Sequence, residues 1–409
     1  MRVINERCAG LDVHQKTVTV CALLGEAGKE VISEKRTFGT TTRELLQLHD
    51  WLQERGVRQV AMESTGTYWR PVWAILEGSF DLTLCNAAHI RQVPGRKTDQ
   101  KDAEWIADLL RHGLLKKSNV PPQPQQDLRE LTRHRAQVSA DRSAVSNRVR
   151  KLLEGANIKL GSVASDVMGV SGRRMLWAMV KGETDVEKLA GLALGQLQEK
   201  REQLIEALTG HVRPHHRSML RLLLTQWEFL DRLVAEIEGE IEVAARPFQE
   251  AVDLVLTIPG MSEVSAWSIV AEIGATMEPF ASGGHLASWA GICPGNNESA
   301  GKHYSGKTRS GNIWLKRSLC LVAWAASHTR NTYFSAQFRR LAQKRGKKRA
   351  ILAVGHSILV TAYAMLKHKR SYQELGPQYF DKLNEEGLKR FCIKKLEAMG
   401  NQVILQPAA

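Results

Sequence analysis

The sequence predicts an α/β domain at the N-terminus followed by two all-α regions. Residues 7–115 alternate short β-branched runs with amphipathic runs of helical period. A Pro- and Gln-rich segment, KKSNVPPQPQQ, interrupts this alternation, and mostly helical patterns follow it. We therefore expect three domains, at residues 1–118, 119–249 and 250–409.

The segments of the first domain predict three strands, a helix, a strand, a helix, a strand and a helix. CAGLDVHQKTVTVCALLG indicates two strands joined by a short polar turn, and EVISEKRTF indicates a third. TTRELLQLHDWLQERG indicates a helix that is capped by Thr41 or Thr42 and stopped at Gly56. The remaining elements are VRQVAME, TGTYWRPVWAILEG, FDLTLC and TDQKDAEWIADLLRHG. This order is that of ribonuclease-H-like domains.

The middle region predicts long helices. Residues 124–155 form a basic, arginine-rich helix that offers a surface for an RNA or DNA backbone. Further on, apolar residues alternate spacings of three and four, at Leu220, Leu223, Trp227, Leu230, Val234, Ile237, Ile241 and Ala244. Such a heptad seam fits a dimerising coiled coil. It fits equally an intramolecular hairpin with an earlier helix such as QLQEKREQLIEAL.

The third region is helical with one long polar segment. LTIPGMSEVSAWSIVAEIG is similar to half of a helix-hairpin-helix, whose backbone N–H groups can hold a phosphate, although Ser262 replaces the usual second glycine. LASWAGICPGNNESAGKHYSGKTRSGNIWLKRSL predicts a flexible basic loop. FRRLAQKRGKKRAI follows, and its Arg345, Lys347 and Lys348 are expected phosphate contacts. A solvated charged surface is the alternative.

Composition narrows the class of protein. The 409 residues carry a net charge of +14, which favours a polyanionic partner. The six cysteines lack C-x-x-C spacing, which argues against structural zinc and disulfides. We find no run of 18 apolar residues and no apolar signal region in MRVINERCAG, so we expect a cytoplasmic protein with no membrane partner.

Four carboxylates stand at positions where they can meet. Asp12 and Glu63 end two predicted strands, and Asp99 and Asp102 project from one face at the start of a helix. Four clustered carboxylates need a cation to stay ionised, and their hard oxygen ligands suit Mg²⁺ or Mn²⁺. Two such ions support phosphodiester cleavage.

These motifs resemble a known family. GLDVHQKT, MESTGTYW and KTDQKDAEW, in this order, are similar to the DEDD-type transposases of the insertion sequence 110 family. TIPGMSEVSAWSIVAEIG and WAGICPGNNESAGKHYSGKTRSGNIWLKRSL resemble that family's second conserved domain, so the likeness covers roughly residues 5–115 and 250–365. It implies a RuvC-like domain whose four acids bind Mg²⁺, and a C-terminal transposase domain with a serine nucleophile at Ser299. The residues alone do not separate Ser299 from Ser305 or Ser310.

The resemblance also implies partners. A structured non-coding guide RNA would pair with donor and target DNA, and a homo-oligomer (dimer or tetramer) would share composite active sites, in the bacterial cytoplasm at the nucleoid. Backbone contacts are expected from Arg96, Lys97, Lys302, His303, Lys307 and Arg309. Two rivals remain, which are a RuvC-like nuclease or junction resolvase that uses water, and a non-catalytic nucleic-acid scaffold.

Overall fold

The chain forms two compact units, residues 1–121 and 122–409, and the division falls in the Pro-rich segment. The computed structural model describes residues 2–26, 28–64, 66–86, 102–294, 297–299, 302–305, 308, 310–383 and 385–404. The predicted middle and C-terminal regions lie together in the second unit.

The first unit is a mixed five-stranded sheet with helices on both faces. Its elements are β1 (Arg7–Val13), β2 (Thr17–Leu24), β3 (Ile32–Gly39), α1 (Thr42–Glu54), β4 (Gln59–Glu63), α2 (Trp69–Leu76), β5 (Asp81–Cys85) and α3 (Asp102–Arg111). The strand order is β3-β2-β1-β4-β5, in which β1, β4 and β5 run parallel and β2 runs antiparallel to its neighbours. For the described residues of this unit, the predicted order of strands and helices is confirmed.

Alternating residues of the strands pack on different helices. Ala9, Leu11 and Val13 of β1 point into a core that α1 and α2 complete. The opposite face, which carries Cys8 and Ala61, packs against α3. Helix α1 begins as predicted, because the Thr41 hydroxyl accepts a hydrogen bond from the Glu44 amide.

Where the structure describes it, the second unit is helical apart from one small hairpin. Its elements are α4 (Gln123–Gly155), α5 (Leu160–Val163), α6 (Val170–Val180), α7 (Val186–Ala190), α8 (Arg201–Leu208), α9 (Pro214–Ala245), α10 (Gln249–Leu256), α11 (Glu263–Ile273), α12 (Gly283–Trp289), β6 (Asn297–Ser299), β7 (Lys302–Ser305), α13 (Ile313–His328), α14 (Tyr333–Arg345), α15 (Lys347–His368), α16 (Tyr379–Leu383) and α17 (Glu385–Glu397). Two 3-10 turns, Gly195–Lys200 and Arg246–Phe248, lie between them.

The long helices α4 and α9 pair along their length. Most of the predicted heptad seam of α9 is buried in this unit, and its main helical partner is α4. Leu204 and Leu208 of the segment QLQEKREQLIEAL belong to the same core cluster as Leu220 and Leu223. Ion pairs flank the seam, since Arg135 bonds Glu238 at 2.7 Å and Arg142 bonds Asp231. A dimerising coiled coil through this seam is not confirmed.

Four arginines of α4 are engaged within the second unit, and the predicted role of this helix in nucleic-acid binding stays a prediction. Arg129, Arg133, Arg135 and Arg142 all bond groups of the second unit. The exposed cations of this helix lie in its C-terminal third, at Arg148, Arg150 and Lys151. Only that third offers cations to a nucleic-acid backbone without breaking an intramolecular ion pair.

The turn between α10 and α11 packs against α13. Gly260 has φ +82°, and a Cβ placed there would lie 2.4 Å from the Ala326 nitrogen. Ser262 caps α11 by accepting from the Ser265 amide at 3.3 Å. The glycine thus serves close packing of helices, and a phosphate-binding helix-hairpin-helix is not confirmed.

Among the described residues, one helix, α15, is long and apolar enough to cross a membrane by length and composition. Half of that apolar window is buried, and its Val354, Ile358 and Leu359 belong to the core of the second unit. A buried core helix passes the same test, so α15 does not indicate a membrane protein.

Candidate active site

Asp12 and Glu63 meet at one edge of the sheet because their strands are parallel neighbours. Leu11 of β1 pairs in register with Met62 of β4, so the next residues, Asp12 and Glu63, stand side by side. Both lie at the carboxyl end of a strand, where sites form in α/β sheets. Alternation along the strands puts both side chains on the face that carries α3.

Asp102 reaches the same edge because α3 lies unusually close to β1. A Cβ on Gly10 would stand 2.3 Å from both the Ala103 carbonyl oxygen and the Ala107 nitrogen. Gly10 precedes Asp12 by two residues and faces the same helix. Since Asp102 is the first residue of α3, the missing side chain of Gly10 allows the helix start to approach Asp12.

The pKa of Asp12 responds to both neighbouring carboxylates. Burial raises the pKa of Asp12, and the neighbouring Asp102 and Glu63 carboxylates raise it further. His14 opposes this and lowers the pKa of Asp12, with its Nε2 atom 3.1 Å from the Asp12 Oδ2 atom. Three of the four predicted acids therefore converge. The fourth, Asp99, lies outside the described residues.

His14 is a site residue that sequence reasoning missed. It follows Asp12 by two residues in GLDVHQKT, so the same alternation that orients Asp12 orients His14 past the end of β1. Its side chain is 64% exposed, whereas that of Asp12 is 25% exposed. The imidazole is accessible to a substrate, and the carboxylate behind it is only partly accessible.

The donor atoms at this edge suit a hard divalent cation. Cys85, which pairs in register with Glu63, has a pKa raised to about 12 by burial and by the Glu63 charge. Its thiol therefore stays neutral, and the available donors are carboxylate oxygens, which Mg²⁺ and Mn²⁺ prefer. Within the part of the chain that the structure describes, no three His, Cys, Asp or Glu side chains already stand as a complete ligand set.

Ser299 lies on a β-hairpin, which corrects the prediction of a flexible basic loop. Strands β6 and β7 pair antiparallel, with Ser299 opposite Lys302 and Asn297 opposite Ser305. Ser299 therefore lies next to the tip of the hairpin, whereas Ser305 lies at the open end, opposite Asn297. Ser310 lies outside both strands and is exposed. The three serines, which the sequence alone does not distinguish, therefore occupy different positions in the structure.

The predicted nucleic-acid contacts fall into two described groups. Lys302 is exposed at the start of β7, and His303 follows it in the same strand. Arg345 ends α14, and Lys347 and Lys348 begin α15, with all three side chains exposed. The remaining predicted contacts lie outside the described residues, namely Arg96, Lys97, Lys307 and Arg309.

The first turn of α15 carries positively charged side chains, which are unfavourable at a helix N-terminus. A helix N-terminus has a partial positive charge, so cations in the first turn weaken the helix. Lys347, Lys348 and Arg349 nevertheless occupy that turn, and no acidic residue is found there. The arrangement is expected where an external anion offsets the repulsion.

Two regions of the chain match transposase family models. Residues 9–158 match a transposase model of the DEDD type for IS110 elements, and residues 252–339 match the model described as transposase IS116/IS110/IS902 family. Among solved structures, the RuvC of Thermus thermophilus aligns with 27% of this chain and 99% of its own, at 13% identity and a TM-score of 0.21.

Curated relatives agree with the family models. The transposase for insertion sequence element IS1111A of Coxiella burnetii is 22% identical over 71% of this chain and 72% of its own. The 44.8 kDa protein of insertion element IS116 of Streptomyces clavuligerus is 26% identical over 72% of this chain and 81% of its own. The pilin gene-inverting protein of Moraxella bovis is 22% identical over 89% of this chain and 97% of its own. The chain therefore belongs to the IS116/IS110/IS902 family of transposases, which are enzymes that act on DNA.

Proposed function

We propose that this transposase cuts and rejoins DNA strands with Ser299 as nucleophile, assisted by Mg²⁺ or Mn²⁺ held by Asp12, Glu63, Asp99 and Asp102. The observation that carries the proposal is the convergence of Asp12, Glu63 and Asp102, with the raised pKa that burial and the two neighbouring acids give Asp12. Mutual repulsion of this kind is relieved by a bound cation.

The chemistry is a transesterification at phosphorus. The Ser299 hydroxyl loses its proton, its oxygen bonds to the scissile phosphorus, and the bond to the deoxyribose oxygen breaks. The leaving deoxyribose oxygen takes up a proton, and DNA remains attached as a phosphoserine ester. Attack by a deoxyribose hydroxyl of another strand reverses these steps and joins the new ends. The divalent cation, when bound, neutralises charge on the phosphate.

Exposed basic groups support DNA and a structured guide RNA as partners. The chain carries a net charge of +14, and Arg345, Lys347 and Lys348 form an exposed cationic junction of two helices. These groups suit backbone binding, which leaves sequence choice to base pairing with an RNA. The protein then works at the nucleoid in the bacterial cytoplasm.

Three exposed apolar residues on α9, outside the buried seam, support a homo-oligomer. Leu222, Phe229 and Val243 lie seven and fourteen residues apart, and each side chain is more than half exposed, at 53%, 56% and 54%. The N-terminal half of the exposed face carries Arg221, and the C-terminal half carries glutamates such as Glu240. Two copies paired antiparallel would place opposite charges together. Assembly of this kind would allow the acids of one copy to serve Ser299 of another.

The rival is a RuvC-like nuclease or resolvase that uses water. The carboxylate edge alone fits this reaction as well, because the same acids can activate water through a bound cation. Only the role of Ser299 separates the two.

The test compares Ser299→Ala with Ser305→Ala, a serine at the far end of the same hairpin. The substrate is the element's own end DNA, with a transcript of the flanking non-coding segment. We expect wild-type protein and Ser305→Ala to form a covalent protein–DNA adduct, and Ser299→Ala to form none and to leave the DNA uncut. Hydrolytic nicking that survives in Ser299→Ala would establish the nuclease instead.

A further inference from the structure

A buried carboxylate joins three separate segments of the second unit. The side chain of Glu272, near the end of α11, is 2% exposed. Arg133 of α4 grips it with two hydrogen bonds, from Nε to Oε1 at 2.7 Å and from Nη2 to Oε2 at 2.9 Å. Asn312, just before α13, donates from Nδ2 to Glu272 Oε2 at 2.5 Å. The pair is bidentate and the carboxylate is withdrawn from water, so the geometry of the pair is fixed.

Asn312 uses both ends of its amide. Its Oδ1 atom accepts hydrogen bonds from the Trp314 and Leu315 amides at 3.0 and 3.1 Å, so it caps α13. Its Nδ2 atom makes the bond to Glu272. One side chain therefore starts α13 and ties that helix start to α11 and α4. Serine could replace the cap, but its single short hydroxyl does not supply the second bond.

The segment that ends at Asn312 carries the hairpin with Ser299. The two ends of this segment are held together by a backbone bridge between Pro294 and Thr308. Lys316 of α13 closes the same base, since its Nζ atom donates to the Thr308 hydroxyl at 2.6 Å and to the Gly291 carbonyl at 3.4 Å. We call this closed base, formed by Gly291, Pro294, Thr308 and Lys316, the stem.

The exit of the stem is also fixed by close packing. A Cβ on Gly311 would lie 2.5 Å from the Gly291 nitrogen and 2.6 Å from the carbonyl carbon of Ala290. The backbone before Asn312 thus passes directly over the end of α12. With the bridge and the Lys316 bonds, the stem is attached to α12 and α13, and Glu272 attaches it to α4.

We propose that Glu272, Asn312 and Lys316 are positioning residues, which set the orientation of the Ser299 hairpin relative to the long helix α4. This inference rests on the proposed role of Ser299 as nucleophile. A nucleophile on a small two-stranded hairpin needs such a stem, because displacement of a reacting atom by about 1 Å costs on the order of a hundredfold in rate.

The ion pair between Arg133 and Glu272 is better explained by a role in orienting the helices than by a contribution to folding stability. Replacing a buried ion pair by apolar residues of similar volume is often neutral or stabilising. The two hydrogen bonds between Arg133 and Glu272 fix the orientation of α4 relative to α11. Arg129 adds hydrogen bonds to the carbonyl oxygens of Ala271 and Glu272 at 3.1 and 2.9 Å. A network of this type fixes one arrangement of α4, α11 and α13.

The test uses Asn312→Ser in the full-length protein, because serine keeps the helix cap and loses the bond to Glu272. Hydrogen exchange of the amides of residues 297–305 is measured first, without substrate. We expect at least a fivefold faster exchange in the hairpin, together with a lower thermal midpoint, because a buried carboxylate loses one hydrogen bond. With the element's end DNA and the non-coding transcript, we expect adduct formation at saturating DNA to slow by about tenfold to a hundredfold. DNA affinity stays at the wild-type value.

Thr332→Ala is the matched control, because Thr332 caps α14 in the same unit through its bond from the Ser335 amide at 3.3 Å. It should lower the thermal midpoint without changing exchange in the hairpin or the rate of adduct formation. Arg133→Lys is the second variant, since it keeps the charge and loses the bidentate grip. It should reproduce the effect of Asn312→Ser.

The outcomes separate the two proposals. Wild-type exchange and wild-type adduct rate in folded Asn312→Ser and Arg133→Lys would overturn the positioning role, whatever Ser299 does. Adduct formation by Ser299→Ala would overturn the nucleophile instead. In that case the exchange measurement still reports whether the network holds the hairpin.

Discussion

Substitution of Gly10 by alanine tests how the acids are brought together. The added Cβ would stand 2.3 Å from the Ala103 oxygen and from the Ala107 nitrogen, whereas ordinary contact begins at 3.4 Å. Both atoms are backbone, so the side chains of α3 cannot relieve the overlap by changing rotamer. The helix has to move away from β1 by about 1 Å. Asp102 begins α3, so it moves away from Asp12 and Glu63.

The expected loss is larger in activity than in stability. Overpacking costs about 1–3 kcal/mol, which a unit with a normal stability of about 5–15 kcal/mol tolerates. A displacement of about 1 Å at a reacting centre costs on the order of a hundredfold in rate. The assay is strand cleavage of the element's end DNA with the non-coding transcript, accompanied by far-ultraviolet circular dichroism and a thermal melt.

Gly155→Ala is the control, because nothing lies within 4 Å of a Cβ at that helical position. It should leave cleavage unchanged. Gly10→Ala that is folded and cleaves DNA at the wild-type rate would refute the close approach of α3 as the device that places Asp102.

Three further predictions follow from the charges and caps. Since the folded-state pKa of Asp12 is raised, its charge opposes folding once the pH rises through that pKa, so Asp12→Asn should raise the thermal midpoint of metal-free protein at neutral pH and abolish cleavage. It should also remove the stabilisation by Mg²⁺, which for wild-type protein is about 2.7 kcal/mol at a hundred times the Kd. Replacing Lys347 and Lys348 by alanine should reduce the salt dependence of DNA binding by about two units of slope in a titration series. The same change should leave α15 equally or more stable in a denaturant melt, by up to about 1 kcal/mol, since it removes cations from a helix N-terminus. Ser262→Ala should cost about 1 kcal/mol in the same melt through loss of the α11 cap, whereas a role in phosphate binding would appear as weaker DNA binding with unchanged stability.

Local sequence patterns were sufficient to predict the order of strands and helices in the first unit. The alternation of β-branched residues and the cap at Thr41 predict the element order, and strand ends predict where Asp12 and Glu63 lie. The closeness of Asp102 depends on Gly10, whose meaning appears only when α3 is docked on β1. The signal for His14 is its spacing of two from Asp12, which predicts that both side chains lie on the same face of the chain.

The second unit depends on long-range partners that local patterns do not specify. The heptad seam of α9 predicts a helical partner without specifying which helix, and in the structure α4 is the main partner, with charge pairs such as Arg135 and Glu238 beside the seam. Those pairs also remove arginines that the sequence suggested for a nucleic acid. Gly, Ser and Asn dominate the sequence around Ser299 and predict a loop, whereas the structure forms a short hairpin there, with a backbone bridge between Pro294 and Thr308 on either side of it.

The most direct measurement locates Mn²⁺ in crystals by anomalous scattering. We expect a peak at the carboxyl ends of β1 and β4, within ligand distance of Asp12, Glu63 and Asp102, that disappears in Asp12→Asn. Saturating Mn²⁺ that leaves this edge empty, or binds only elsewhere in the chain, would contradict the carboxylate edge as the metal site.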